Sequence, residues 1–175
     1  MENKKWVAGW GCCEDVTAQM IADYIEDITF RYVIYSTLDA SALKLHFSNL
    51  QGTEAIKVDK VFVARRDNWK AAVPGSAREV LFDGNSGFTL APGAGIVSDP
   101  VEFTIGAGEE YFVSMYIKEK TELRSGHSNS GAYITKYFAR GDYAAADDIP
   151  TLVYGDGGPY VFIHTIDYLT DADCH

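Results

Sequence analysis

The stretch that decides the fold is TFRYVIYSTLDASALKLHFSN, which runs from Thr29 to Asn49. Apolar or aromatic side chains recur at every second position in both of its halves: Phe30, Tyr32, Ile34, Leu43, Leu45 and Phe47. A period of two places alternate side chains on one face of a β-strand, so each half predicts a strand with one face on a core. The short interruption between the two runs predicts a turn. The stretch as a whole therefore predicts a β-hairpin.

Short alternating runs of the same kind follow along the rest of the chain, separated by turn-forming residues. About ten such runs, with no regular alternation of strand and helix, predict an all-β antiparallel sandwich that resembles a jelly roll. Only Glu14 to Glu26 shows a helical spacing, so at most one short helix is expected. Residues 1–169 are expected to form a single domain, and residues 170–175 a polar tail or the start of a linker.

The composition agrees with a packed, β-rich domain. The chain has 175 residues, of which 47% are hydrophobic and 13% aromatic. Aromatic residues are enriched in strands and scarce in disordered segments. A chain of this length buries enough apolar surface to fold without a disulfide or a structural metal.

The charge balance narrows the choice of partners. The chain has 15 basic and 25 acidic residues, which gives a formal net charge of -10. Nucleic acids and anionic membranes are bound by clustered Lys and Arg, and no basic run here is longer than a pair. Neither partner is expected. A signal peptide's apolar segment and a transmembrane-length apolar run are also absent from the sequence, which by default predicts a cytoplasmic protein.

Metal and disulfide chemistry have little support in the sequence. The three cysteines are Cys12, Cys13 and Cys174, an odd number that does not indicate a disulfide framework, although one bridge from Cys174 to the N-terminal pair remains open. No pair of cysteines or histidines has the spacing of zinc ligands. A calcium site near Asp147 and Asp148 remains open, with a solvated acidic loop as the alternative. No cofactor is expected.

Candidate site residues come from a polar cluster and from aromatic residues outside the alternating pattern. A catalytic serine is not predicted, because the nucleophile motif G-x-S-x-G is absent. The polar cluster is predicted to be a loop, and with the aromatic residues it supplies the candidates for a ligand site or a domain interface: Trp69, Ser125, His127, Ser128, Asn129, Tyr154 and Tyr160. The alternatives are that His127 bonds within its own turn and that Trp69 plugs one end of the sandwich.

Several motifs occur in a fixed order along the chain: TFR at 29–31, KLHFSN at 44–49, GTE at 52–54, FTLAPGA at 88–94, VSDPV at 97–101, YFVSMYI at 111–117 and SGHS at 125–128. Together they resemble the N-terminal domain found in a group of bacterial SGNH (GDSL-type) hydrolases. The resemblance extends from Trp6 to Leu169. It implies a β-sandwich accessory domain in which four polar residues act as structural anchors: Arg31, Ser48, Asn49 and Asp99.

The same resemblance implies that this chain is not itself an enzyme. In those hydrolases a Gly-Asp-Ser block with the nucleophile follows soon after the equivalent of Asp171 to His175, and the later Asp-x-x-His element completes the site. This sequence contains neither. The expected function is a non-catalytic domain that packs on the catalytic domain of an esterase and helps to bind a carbohydrate-ester substrate. A free-standing carbohydrate-binding module is the alternative.

Overall fold

The computed structural model describes residues 4–16, 23–127, 135–150, 154–156 and 160–172. Strands account for all the regular secondary structure in these ranges, and no helix occurs in them. The predicted all-β class is therefore confirmed. Helices long and apolar enough to cross a membrane are likewise not found in this described part of the chain.

The strands are numbered in chain order. Their bounds are β1 Lys5–Gly11, β2 Asp15–Val16, β3 Tyr24–Ile25, β4 Ile28–Tyr35, β5 Ala40–Ser48, β6 Ile56–Val58, β7 Lys60–Asn68, β8 Ala71–Ala72, β9 Arg78–Glu79, β10 Leu81–Phe82, β11 Asn85–Ser86, β12 Phe88–Leu90, β13 Gly95–Val97, β14 Val101–Ile105, β15 Glu110–Ile117, β16 Thr121–Glu122, β17 Ser125–His127, β18 Thr135–Arg140, β19 Tyr154–Asp156, β20 Tyr160–Val161 and β21 Ile163–Thr170. Strand β21 thus extends one residue past the predicted domain boundary.

Two antiparallel sheets form the body of the domain. Sheet I has the order β1-β21-β5, and β13 and β14 pair one after the other with the remaining edge of β5, β13 with its C-terminal part and β14 with its N-terminal part. Sheet II has the order β19-β18-β4-β15-β7, with β8 and β9 both paired to β7. One large cluster of buried apolar side chains draws on both sheets. Across it the hydroxyls of Tyr111 in sheet II and Tyr168 in sheet I lie 3.0 Å apart, so the sheets pack face to face as a sandwich.

The hairpin predicted from Thr29 to Asn49 is wrong, although both of its strands exist. Strand β4 lies between β15 and β18 in sheet II, whereas β5 lies between β21 and β13/β14 in sheet I. The connection at residues 36–39 crosses from one sheet to the other. Alternation specifies which face of a strand is buried, and it does not specify the neighbouring strand. Here the two apolar faces are packed against each other across the core and do not lie side by side.

Sheet II is covered on its other face as well. A second cluster of buried side chains lies there, and it consists of Val33, Ala64, Ala72, Phe112, Tyr137, Ala139 and Ile149. Residues 141–150, between β18 and β19, supply the cover. This explains why six consecutive positions of β4 are buried when its alternation predicted one buried face.

An irregularity in β1 separates its two tryptophans. The register with β21 shifts between Ala8 and Trp10, which marks a β-bulge at Gly9. In an unbroken strand Trp6 and Trp10 would share a face, because they are four residues apart. The bulge turns Trp10 toward the core, where its ring meets Tyr160 edge-to-face at 5.5 Å, and leaves Trp6 on the outer face.

Two local predictions need correction or fall outside the described chain. The polar loop predicted at Arg124 to Gly131 includes a strand at 125–127, because β17 pairs with β2 and with β20. Residues 128–131 of that prediction lie outside the described residues. Of the helix expected at Glu14 to Glu26, the described parts include the strands β2 and β3, and residues 17–22 lie outside the described residues. Cys174 lies outside them too.

Candidate functional site

The most exposed tryptophan of the described chain lies at a strained turn. Trp69 follows β7 and precedes β8, and 63% of its surface is exposed. Its φ is +39°, at the first central position of a two-residue turn where Gly is the usual choice. Backbone strain of this kind persists only where the surrounding structure holds it, and it is concentrated at functional sites. The alternative that Trp69 plugs an end of the sandwich does not fit this exposure.

Two arginines hold the turn that presents Trp69. The Nε of Arg66 donates to the Trp69 carbonyl at 2.8 Å, and Nη1 of the buried Arg31 donates to the Lys70 carbonyl at 2.8 Å. The Lys70 ammonium in turn contacts the Asp148 carboxylate at 2.7 Å, and this hydrogen bond lowers the pKa of Asp148. The turn is therefore fixed before anything binds to it, which reduces the entropic cost of binding.

A second exposed aromatic residue lies in the same part of sheet II. Tyr35 ends β4 with 51% of its surface exposed, and Glu110 of β15 is its register partner. The Glu110 carboxylate forms an ion pair with Arg66 of β7. Tyr35, Glu110 and Arg66 thus form a row across three neighbouring strands, and Arg66 connects that row to Trp69. We call these four residues the Tyr35–Trp69 surface.

A shallow groove of about 600 Å³ runs along this surface. Its lining includes Tyr35, Arg65, Arg66, Asn68, Glu109 and Glu110. Arg65 forms a two-pronged ion pair with Glu109, with N–O distances of 3.0 and 3.2 Å. The charges in the groove are nearly balanced, and each arginine is held in one orientation by a carboxylate. Exposed pairs of this kind add little stability, and their effect is to orient the guanidinium groups.

The exposed surface combines Trp, Tyr and Arg side chains. Trp, Tyr and Arg are the three residue types most enriched among side chains that dominate protein–protein binding energies. Each of the described histidines makes a short polar contact within the domain. His46 lies 2.8 Å from the Asp167 carboxylate, His127 lies 2.8 Å from the Cys13 carbonyl, and His164 lies 2.9 Å from the Thr165 hydroxyl. The described residues contain no group of three or more His, Cys, Asp or Glu side chains placed to hold a metal.

The other predicted site residues do not join Trp69. Ser125 is fully buried, and its hydroxyl accepts the Gln51 backbone N–H at 2.8 Å. His127 is partly buried beside Cys13, which is distant in sequence, and so it does not simply bond its own turn. Ser128 and Asn129 lie outside the described residues.

Tyr160 is a core residue and does not form part of an exposed site. It is 2% exposed, its ring meets Tyr32 edge-to-face at 4.7 Å, and its hydroxyl donates to the Val33 carbonyl at 2.9 Å. Burial raises its pKa well above the usual range for a tyrosine. Tyr154 lies in β19, and its side chain falls outside the described residues.

Three of the residues that the family resemblance implied as anchors hold turns near sheet I. Ser48 is 8% exposed, and its hydroxyl accepts the backbone N–H two residues later at 3.1 Å. The amide of Asn49, which is 1% exposed, donates to the Glu54 carbonyl at 2.8 Å. The Asp99 carboxylate accepts the backbone N–H of Gly84 at 2.8 Å and so closes the turn between β10 and β11. All three contacts stabilise loops that connect strands.

Sequence reasoning identified Trp69 and missed the rest of the Tyr35–Trp69 surface. Tyr35 follows the alternation of β4, and Arg66 and Glu110 look like ordinary charges on a strand. The three residues meet only through the register of β4, β15 and β7, which no local pattern reveals. A usable signal existed for Tyr35 and Glu110, which are the last residue of β4 and the first of β15 and so lie beside loops.

Comparisons with known proteins find similar solved structures but no matching family model or curated protein. No protein-family model matches this chain, and no curated protein matches it. One similar solved structure is the clostridial cysteine protease Cwp84 after propeptide cleavage. It has a TM-score of 0.46 and 11% identity, over 96% of this chain and 41% of that chain. Another contains the cysteine protease and lectin-like domains of Cwp84, a surface layer associated protein of Clostridium difficile. Its TM-score is 0.42 with 10% identity, over 85% of this chain and 33% of that one. This chain therefore spans less than half the length of either protein.

Proposed function

We propose that this chain is a non-catalytic accessory domain whose Tyr35–Trp69 surface packs on a second, catalytic domain. The observation that carries the proposal is the exposed Trp69, held at a positive φ by hydrogen bonds from Arg66 and Arg31 to its turn. A large aromatic side chain that is both exposed and fixed in place is suited to fill a pocket on a partner.

The sequence resemblance supports an SGNH (GDSL-type) esterase as the parent of the catalytic domain. In such a protein the catalytic domain would supply the nucleophile. The sandwich would stabilise the catalytic domain or shape the entrance to its substrate site. The pairing of each described histidine within the sandwich agrees with a structural use of these groups. On its own the chain is expected to show no ester hydrolysis above the buffer rate.

A photo-cross-linking experiment tests the docking surface in the full natural protein. A benzophenone amino acid replaces Trp69, and the matched control carries it at Val97, which is 45% exposed in sheet I. After irradiation, mass spectrometry should find position 69 joined to a segment that contains a Gly-Asp-Ser block, in the same or another polypeptide. Equal cross-linking from both positions, or none from position 69, would contradict the proposal.

A carbohydrate-binding module remains the second candidate for this surface, because an exposed indole also stacks on sugar rings. Titration of neutral oligosaccharides against the tryptophan fluorescence separates the two functions. If a sugar changes the signal and Trp69→Ala abolishes that change, sugar binding replaces docking as the role of the surface.

A further inference from the structure

A second groove crosses the outer face of sheet I, on the opposite side of the molecule's core from the face that carries Arg31. Trp6 of β1 is the register partner of Leu169 in β21, and Ala42 of β5 is the partner of Glu102 in β14. The register of β21 with β5 places Leu169 beside Ala42. The four side chains therefore form one row across four neighbouring strands.

The row is long enough for an extended ligand. Three strand spacings separate Trp6 from Glu102, a distance of roughly 14 Å between backbones. The groove occupies about 820 Å³, and it continues around the edge of the sandwich to Arg78 and Glu79 of β9. Ala42, in the middle of the row, is too small to fill the floor. This volume is in the range of ligand pockets, and the length suits a short chain of linked rings.

The indole of Trp6 is available to the groove because it does not belong to the core. Val7 and Trp10 of the same strand pack on the buried cluster, whereas Trp6 points to the other face and remains partly exposed. The Lys44 ammonium lies over the Trp6 ring, 4.5 Å from its centre, and this contact favours one orientation of the ring. A partly exposed, oriented aromatic ring at one end of a trough provides a flat apolar platform.

The remaining lining combines the apolar residues Pro100, Val101 and Phe103 with polar and charged ones, and the charged groups are two of each sign. It includes two guanidinium groups and two carboxylates, those of Arg65, Arg78, Glu79 and Glu102. The side chains of Glu102 and Thr104 point outward from β14, and within the described residues neither makes a hydrogen bond to protein. The groove therefore offers both hydrogen-bond donors and hydrogen-bond acceptors, and its net charge is small. A small net charge does not favour an anion, whereas the mixture of donors and acceptors suits a neutral ligand with many hydroxyl groups.

We infer that this groove binds a short neutral oligosaccharide. One sugar ring stacks on the Trp6 indole, and the hydroxyls of the following rings bond to Glu102, Thr104 and Arg78. The site is separate from the exposed Trp69, although both grooves reach Arg65. The inference does not depend on the docking proposal, since either surface works without the other.

Calorimetric titration of the purified protein tests the inference. The neutral probes are the hexasaccharides of cellulose, xylan, mannan, laminarin and chitin, and a polygalacturonate oligomer is the acidic comparator. At least one neutral probe should bind. Trp6→Ala should weaken that binding about tenfold, the loss expected for one stacked aromatic contact. Glu102→Gln should weaken it less. The matched control is Tyr24→Ala, at an aromatic residue of β3 that is 40% exposed and does not line the groove, and it should leave the binding unchanged.

Further results distinguish a sugar site at Trp6 from misfolding of the variant and from a site elsewhere on the domain. Trp6→Phe keeps an aromatic ring and should retain most of the affinity, and equal thermal transitions of all variants exclude misfolding as the cause of a loss. Binding of no neutral probe at millimolar concentration overturns the inference. Binding of the acidic probe alone overturns it as well. Undiminished binding by Trp6→Ala, or an equal loss caused by Tyr24→Ala, overturns the inference. A loss caused by Trp69→Ala and not by Trp6→Ala assigns the sugar site to the Tyr35–Trp69 surface and overturns it too.

Discussion

Arg31 is a charge that the fold buries completely, and its contacts explain how. It is 1% exposed, and the ring of Phe112 lies 5.1 Å from its guanidinium carbon. Its Nε donates to the Ser114 hydroxyl at 3.0 Å, and its terminal nitrogens reach the carbonyls of Lys70, Tyr143, Ala146 and Asp147. Burial lowers its pKa to about 10, against the opposing effect of nearby carboxylates. Arginine suits this position because its planar fork carries five donors.

Replacing Arg31 with Met should release residues 141–150 from sheet II. The change leaves several buried carbonyls without a donor, so we expect a loss of about 3–5 kcal/mol in the free energy of unfolding. Urea denaturation measures the loss, and hydrogen exchange should show faster exchange at 141–150 and at the Trp69 turn. Arg140→Met, at an exposed position of β18, is the control and should change stability by less than about 0.5 kcal/mol. An equally small effect at Arg31 would show that the carbonyls are satisfied in another way.

Lys136 should give the domain an unusual pH dependence. It is 2% exposed, and burial lowers its pKa to about 8. The unfolded chain holds this proton up to about pH 10.4, so between these values the unfolded state binds more protons and stability rises with pH. The gain is about 2 kcal/mol between pH 8 and pH 10, at about 1.36 kcal/mol per pH unit for one proton.

Above about pH 10 the trend should reverse. Burial raises the pKa values of Tyr32 and Tyr111 well above normal, so the unfolded state loses these protons first. Denaturant titrations at several pH values check both limbs of the curve. Lys136→Met should remove the rise below pH 10 and keep the fall above it; a rise of the same size in the variant would assign it to another group.

The bulge in β1 is the element that separates Trp6 from Trp10. It requires Gly9, because a Cβ at that position would lie 2.4 Å from the ring of Tyr168. The close approach of backbone to ring leaves no room for a side chain. Because the strand carries one extra residue at this point, Trp10 packs on the core and Trp6 lines the groove on the outer face.

Gly9→Ala should destabilise the domain by about 1–3 kcal/mol, the usual cost of forcing an extra methyl group into a packed region. Thermal denaturation gives the value. A second measurement, the change in tryptophan emission, should show that the environment of Trp10 is altered. The control is Gly75→Ala, where a Cβ meets no atom within 4 Å and the cost comes only from the positive φ of +73°. A cost at Gly9 no larger than at Gly75 would rule out the clash with Tyr168.

Alternation in the sequence was enough to predict strands β4 and β5 and which face of each meets the core, as Phe30, Tyr32 and Leu45 show. It did not predict that the other face of β4 is covered as well. It did not predict which strands pair, because register and partner depend on contacts between residues far apart in the chain. The same limit affected the site. Trp69 was a candidate because it lies outside any alternating run, and it is exposed. Tyr160 was a candidate because it follows a glycine-rich segment of the sequence, yet it is buried and its ring packs on Tyr32. Exposure depends on what the rest of the chain places over a residue.

At the scale of the molecule, the first and last strands of the described residues are neighbours. β1 pairs antiparallel with β21, and Lys5 is directly opposite Thr170. Opposed residues of such a pair have Cα atoms about 5 Å apart. The two ends of the domain therefore leave the sandwich at one point, an arrangement that tolerates circular permutation.

A circular permutant should therefore fold. Residues 5 and 170 are joined by a short Gly-Ser linker, and new ends are opened at Gly75, an exposed turn with open space around it. We expect a cooperative thermal transition within a few degrees of the parent domain. A permutant opened between Tyr32 and Val33, inside the central strand β4, should fail to fold. Failure of the Gly75 permutant with success of the β4 permutant would contradict the described topology.

The pairing of Lys5 with Thr170 also determines how the domain responds to tension. A force that pulls these two ends apart loads the hydrogen bonds between β1 and β21 one at a time, like a zipper, because both ends lie at the same end of the pair. Each single bond contributes only about 1 kcal/mol. In a longer polypeptide under strain, β1 would peel away at low force. Trp6 would leave the groove with it, while the Tyr35–Trp69 surface in sheet II kept its contacts.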